Sequence, residues 1–404
     1  MKAGHLSEYF AGIAAKRLSA VEADLFRSNQ HEFNGVEGLK QLFGQAQGKQ
    51  KFAAKFIYLT DHDDEPAVAE GFLTWYDARE KHPTRSEHRL YFPTTAVSDC
   101  AAEGDLLVLG KRHDGSMLVV VAAKGSTVLN QIEWLFGLST LEFPGFSVRE
   151  ELETEQDRIA FASRFILEQI GVVVEADDTT HLDDMLERFG KTFPSTREFS
   201  AYARATLPDV SGREAPDSAV MAWIEREEIL FRTLEKHLLA ERLAAGFTGD
   251  VDGFISFSLS VQNRRKSRAG HALENHVAEI FTLHGLRFER AVVTENRTKP
   301  DFLFPGGTEY ADTTFEALRL TMLGVKASCK DRWRQVLAEA DRIPVKHLLT
   351  LEAAISAAQT DEMQAKRLQL VVPKGLHSTY DLIQRTWLWD VDAFLALVRE
   401  RQGS

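Results

Sequence analysis

Residues 322–343 read MLGVKASCKDRWRQVLAEADRI, and the fold turns on how they are parsed. Met322 to Ala327 make a short apolar run suited to a buried strand, yet that strand exits on Lys326. After a turn comes a helical pattern whose opening carries Lys330, Asp331, Arg332 and Arg334. Cations at a helix start oppose the helix dipole, so this much positive charge there asks for a use. Further apolar runs follow as KHLLTL (346–351) and LQLVVP (368–373), and FERAVVTE (288–295) and DFLFP (301–305) precede. Strands alternating with helices predict an α/β domain.

Upstream the pattern differs. Residues 1–147 are mostly short strands: KFAAKFIYL, GFLTWYDAR, HRLYFP, DLLVLGK and SMLVVVAA, separated by the turn-forming clusters DHDDEP, KHPTRSE, AAEG and RHDG. Strands at that spacing predict a barrel or sandwich, with one helix over 36–44. From residue 149 apolar positions recur at helical spacing, and 148–189 is acid-rich, as in EADDTTHLDDMLE. The expected organisation is a β-barrel-like domain over 1–147, an acidic helical connector over 148–189 and an α/β domain over 190–404. Within the last, AVMAWIEREEILFRTLEKHLLAERLAAG and HALENHVAEIFTLHG read as long helices.

The chain has 404 residues, 44% hydrophobic and 27% charged, with a formal net charge of −12. That is a globular composition, and the acidity argues against indiscriminate coating of nucleic acid while leaving room for a local basic cleft. Two cysteines, Cys100 and Cys329, exclude a disulfide framework and a zinc site of four cysteines. The opening MKAGHLSEYF has no apolar signal core, and the longest apolar run, MLVVVAA, is too short to span a bilayer. A cytoplasmic protein without a membrane partner is expected.

Four residues fall in an order that makes chemical sense. Glu274 lies on a helix, Asp301 follows Pro300 at the entry to a strand, Lys326 sits at a strand exit, and Glu339 follows on the next helix. Two or three carboxylates converging with a lysine can hold a hard divalent cation against a phosphodiester. The order resembles that of the PD-(D/E)XK nucleases, with one departure: Gly324 occupies the position of the acid two residues before the lysine. On a continuous helix Arg332, Gln335 and Glu339 would share a face, letting Glu339 replace it. Each residue also has an ordinary reading, as a strand cap, an edge lysine or a solvated helix glutamate. Lys330, Asp331 and Arg332 have the chemistry to read adjacent G·C pairs, and NRRKSR, with Arg264, Arg265, Lys266 and Arg268, suits phosphates.

The stretches VQNRRKSRAGHALENH, KPDFLFPGGTEYAD and GVKASCKDRWRQVLAEAD resemble the hallmarks of EcoRII-type restriction endonucleases. The resemblance covers about 190–404 and is most specific over 261–343. It implies an Mg²⁺-dependent DNA endonuclease with a restriction-endonuclease fold, acting as a homodimer on double-stranded DNA. It carries catalytic roles onto Glu274, Asp301, Tyr310, Lys326 and Glu339, metal ligation onto Asp301, Glu339 and Glu274, and contacts with the outer CC/GG pairs onto Lys330, Asp331 and Arg332. The first domain is similar, more weakly, to a DNA-binding pseudobarrel known from plant transcription factors, in which a second copy of the target acts as effector. YDAREKHPTRSEHRLYF implies recognition by Arg79, Arg85, Glu87 and Arg89, and SNQHEFNG adds His31 on a second arm. Pro83 stands where a lysine is expected.

The reading that results is a type II restriction endonuclease cutting a CC…GG palindrome of the CCWGG kind, regulated by its first domain. Two alternatives remain open: a modification-dependent endonuclease with the first domain as reader, and a non-cleaving DNA-binding regulator.

Overall fold

The computed structural model describes residues 5–23, 31–46, 48–61, 66–82, 84–138, 145–154, 161–172, 174, 179–329 and 332–403. It divides into two compact units, Met1–Val174 with Ala354–Ala358, and Glu175–Ala353 with Gln359–Ser404. The division falls inside the acid-rich stretch.

The first unit is built on a sheet of eight described strands: β1 (Gly12–Arg17), β2 (Glu32–Asn34), β3 (Gln50–Leu59), β4 (Ala67–Asp77), β5 (His88–Tyr91), β6 (Leu106–Lys111), β7 (Met117–Ala122) and β8 (Ser147–Arg149). Their order is β2-β5-β4-β3-β7-β6-β1-β8. The unbroken apolar runs of β6 and β7 follow from burial on both faces. Val108 and Val120 enter one core with Ile13, Ile132 and Ile166, while Leu107 and Val119 enter another with Phe56, Leu73 and Trp75. Phe33 of β2 and Val148 of β8, from opposite ends of the order, meet in that second core, so the sheet curls on itself. The helix Thr127–Leu135 starts where Asp61 accepts the Thr127 and Val128 N–H groups at 2.7 and 3.2 Å, satisfying amides that a helix start leaves open.

In the second unit a five-stranded sheet runs β13-β12-β11-β10-β9, from β9 (Glu289–Arg290), β10 (Phe302–Phe304), β11 (Thr321–Lys326), β12 (Lys346–Thr350) and β13 (Leu368–Val371). β11, β12 and β13 are parallel, whereas β10 is antiparallel to β11 and β9. Beside it stand the helices Leu182–Phe189, Thr196–Ala205, Pro216–Ala245 and Val251–Leu283, of which the first three share a core of Met185, Phe199, Tyr202, Leu230, Phe231 and Leu234.

Three local expectations change. The Val251–Leu283 helix runs through NRRKSR, which is therefore helical from end to end. Residues 288–295 keep only two strand residues. The helix after Lys326 shrinks to Trp333–Val336, and Glu339 lies beyond it in a turn that ends on Ala340 at φ +50°. No helix among the described residues is long and apolar enough to cross a membrane.

Candidate active site

Asp301 is placed by strand register. Phe302 pairs with Leu323 across the antiparallel β10–β11 ladder, so the residue before β10 comes alongside the last residues of β11. There Asp301 Oδ2 accepts the Val325 N–H at 2.6 Å and Lys326 Nζ at 2.8 Å. Phe302, Leu303 and Phe304 are buried and hold the strand in place, while the Asp301 and Lys326 side chains stay partly open to solvent. A carboxylate bound by an amide and an ammonium on one oxygen keeps the other for a further partner.

Glu339 reaches the same place from the turn after Trp333–Val336. Burial first, and the neighbouring Asp301 carboxylate second, push its carboxyl up to about 7, against the pull of Lys326 and Lys346. Its Oε2 is buried and accepts no hydrogen bond among the described residues. Two carboxylates that repel one another, one with an orphaned buried oxygen, suit a hard cation. No group of three or more His, Cys, Asp or Glu among the described residues could hold an ion, so waters and a phosphate would complete the coordination.

The other expected catalytic residues each have partners of their own. Glu274 Oε2 accepts Arg290 Nη2 at 2.6 Å, and its Oε1 stands 3.7 Å from His271 Nδ1. Tyr310 is buried, and its hydroxyl donates to Glu295 Oε2 at 2.5 Å. Burial and that bond raise the phenol well above its ordinary range. Tyr310 is thereby turned towards Glu295, a residue with no distinguishing signal in the sequence. Lys346 is a second such residue, buried at the start of β12 with Nζ 2.6 Å from the Ala340 carbonyl.

The basic run is largely structural. Arg268 is buried over the Phe199 and Phe231 rings and donates to the Pro194 carbonyl at 2.9 Å. Arg265 lies 2.6 Å from the buried Glu235 carboxylate, and Arg264 stacks 4.1 Å from the Phe193 ring centroid. Only Lys266 of the four expected phosphate contacts projects without such a contact among the described residues. A helix counted back from Leu273 would have exposed this, since Arg268 shares a face with Ala272. Of the recognition segment, Arg332 is exposed with Nη2 3.3 Å from the Ser328 carbonyl, and Arg334 pairs with Glu362 at 2.7 Å. Lys330 and Asp331 lie outside the described residues.

In the first unit Glu87 bridges Arg89 and Arg79, and those two bonds hold its carboxyl below the ordinary range. Arg89 also donates to Asn34 Oδ1 at 2.6 Å, Arg85 is exposed, and the His31 ring lies 5.8 Å from that of Phe92. Lys51 over Phe72 and Lys49 over Tyr76 extend this β3–β5 surface with stacked cations. Of SNQHEFNG, residues 28–30 lie outside the described residues, as does Pro83.

Residues 231–395 match the family model described as EcoRII C terminal. Over 227 residues the chain is 40% identical to the type II restriction enzyme EcoRII of Escherichia coli, taking in 56% of this chain and 55% of that protein. The chain thus spans about half the length of the curated relative it matches. Among solved structures it is similar to metal-depleted Ecl18kI in complex with uncleaved, modified DNA, at 15% identity and a TM-score of 0.44, over 56% of this chain and 85% of that one. It is also similar to the restriction endonuclease PspGI in a substrate DNA complex, at 16% identity and a TM-score of 0.43, over 52% and 94%.

Proposed function

We propose, from the match of residues 231–395 to the EcoRII C-terminal family model, that the chain is a type II restriction endonuclease. It makes Mg²⁺-dependent double-strand cuts in a CC…GG palindrome of the CCWGG kind, as a homodimer in the cytoplasm. The observation that carries this reading is the convergence of Asp301, Lys326 and Glu339, with Lys326 Nζ 2.8 Å from the Asp301 carboxylate and Asp301 raising the Glu339 carboxyl. A non-cleaving regulator needs neither feature.

In this reading Asp301 and Glu339 would hold the divalent cation, which would polarise the scissile phosphate and make water easier to deprotonate. Lys326, bonded to Asp301, orients the attacking water and stabilises the charge that gathers on the phosphate oxygens. Glu274 stays with Arg290. Arg332, with Lys330 and Asp331, reads the outer pairs in the major groove, and Lys266 binds a phosphate. A palindrome presents each half-site once to each copy of the chain, which is why two are needed. The first unit binds DNA through its β3–β5 surface, with Arg79, Arg85, Arg89 and His31, and regulates cleavage.

The test is digestion of a plasmid carrying several CCWGG sites in Mg²⁺, with Lys326→Ala beside the wild type. Discrete fragments from the wild type alone support the reading. An intact plasmid in both lanes rejects the CCWGG assignment, and cutting in both rejects the role of Lys326.

A further inference from the structure

The turn that carries Glu339 is held mainly from outside itself. After Trp333–Val336 the chain tightens, with the Leu337, Ala338 and Glu339 amides bonded three residues back to Arg334, Gln335 and Val336. Ala340 then takes φ +50°, a left-handed conformation that a non-glycine residue keeps only where its surroundings enforce it.

The enforcing groups are on the page. The Ala340 N–H donates to Thr294 Oγ1 at 3.3 Å, the Asp341 N–H to Glu295 Oε2 at 3.2 Å, and the Arg342 N–H to Tyr310 Oη at 3.3 Å. Lys346 Nζ donates to the Ala340 carbonyl at 2.6 Å. Consecutive amides just after Glu339 are therefore each taken by a different side chain. Tyr310 and Glu295 act as one piece, because the Tyr310 hydroxyl donates to the oxygen that receives the Asp341 amide. Thr294 is tied in turn to Thr298 through their hydroxyls at 2.9 Å.

Glu339 stands between a four-residue helix and this clamp. A regular helix would fix its direction by its own ladder of bonds; here that ladder has ended. We propose that Glu295, Tyr310 and Lys346, with Thr294, are positioning residues that fix Glu339 against Asp301 and so set the affinity of the site for a divalent cation. The inference rests on the nuclease reading above, and it gives Tyr310 a role through Glu295 and the turn rather than at the reacting atoms. Groups that orient metal ligands in this way change metal affinity or activity about 10- to 100-fold when removed.

The experiment uses the full chain in two series. In the first, Mn²⁺ uptake is followed by electron paramagnetic resonance of the free ion, on protein bound to a CCWGG duplex in a Lys326→Ala background. In the second, cleavage rates are measured with Lys326 restored. Glu295→Met and Lys346→Met remove bonds at similar side-chain volume, and Glu295→Gln keeps an acceptor oxygen while losing the charge.

Expected are an about tenfold or greater loss of Mn²⁺ affinity and of cleavage for Glu295→Met and Lys346→Met, with duplex binding in the absence of metal and the melting transition retained. Glu295→Gln stays within about threefold, and Tyr310→Phe adds little to Glu295→Met, since partners in one network are not additive. Mn²⁺ affinity unchanged in Glu295→Met and Lys346→Met overturns the proposal. So does a Glu295→Gln as damaged as Glu295→Met, because Glu295 would then act by charge. A wild type that leaves the plasmid intact counts against the CCWGG assignment of the nuclease reading, and the Mn²⁺ series still decides the clamp.

Discussion

A Cβ on Gly324 would lie 2.8 Å from Cγ2 of Val336. The position two residues before the lysine, where the PD-(D/E)XK pattern has an acid, is roofed by the short helix that follows. The same close approach that denies Gly324 a side chain delivers Glu339, three residues beyond Val336, to Asp301. Absence of one acid and arrival of the other are therefore one packing event. Gly324→Ala should destabilise the chain by about 1–3 kcal/mol, the usual cost of overpacking a filled core, read as a shift in urea midpoint. Moving the acid back, as Gly324→Glu with Glu339→Gln, should give no cutting. A doubly substituted chain that cuts would show that Val336 yields and that this packing account is wrong.

The raised carboxyl of Glu339 predicts an uncommon pH dependence. In the unfolded chain the group ionises near its ordinary 4.5, and in the folded chain near 7. Between those values the unfolded state has released a proton that the folded state keeps, so stability without divalent metal falls as pH rises and levels off above about 7. At about 1.4 kcal/mol for each tenfold change in proton affinity, about 3 kcal/mol is the ceiling, and the partly exposed side chain lowers it. Other carboxylates titrate too, so the quantity to measure is the wild type minus Glu339→Gln between pH 4.5 and 8. A flat difference would mean that neither burial nor the Asp301 charge disfavours the ionised Glu339 carboxylate.

How much of this was legible in the sequence depends on how far each inference leaned on a regular helix. Asp301 and Lys326 needed only strand ends, and the antiparallel register of β10 and β11 joins them. Glu339 was identified by assuming a helix through residue 339; Asp301 is a neighbour that raises its carboxyl, but the route is a turn closed by a left-handed Ala340. That NRRKSR lies within a long helix was not legible, since its polar residues show no apolar period. In the helix the guanidinium groups of Arg264 and Arg268 lie over phenylalanine rings. Thr294, Glu295 and Lys346 carried no signal, since residues that bind a distant turn have no period.

The two roles within the basic run should separate by salt. Arg268→Ala loses a buried stack and a hydrogen bond to Pro194, and about 1–3 kcal/mol of stability should go with them. Its DNA affinity, measured below the melting transition, should keep the wild-type dependence on salt. Lys266→Ala should leave the melt unchanged and flatten the plot of log affinity against log salt by about 0.9, the loss of one phosphate contact. The opposite pairing of effects would return Arg268 to the DNA surface.

Discrimination between base pairs should depend on a carboxylate that touches no base. Glu352 is buried, and its Oε2 accepts the Cys329 N–H immediately before the Lys330-Asp331-Arg332 triplet. Its own backbone is anchored on both sides, the N–H donating to Thr350 Oγ1 at 3.1 Å and the carbonyl accepting Tyr380 Oη at 2.5 Å. The parallel strands β11 and β12 end beside one another, Lys326 opposite Thr350. Glu352 thus transfers the rigidity of the second strand's exit to the loop leaving the first. A good bidentate base contact is worth about 1–3 kcal/mol of discrimination, and that value requires its donors to be held in place. Glu352→Ala should lower the ratio of cleavage rates on CCWGG and on a site with one outer pair changed by about tenfold, whereas Glu352→Gln, which keeps an acceptor for the Cys329 amide, should hold the ratio within about threefold. An unchanged ratio in Glu352→Ala, with cleavage intact, would mean that the triplet is placed by the DNA itself rather than by the end of β12.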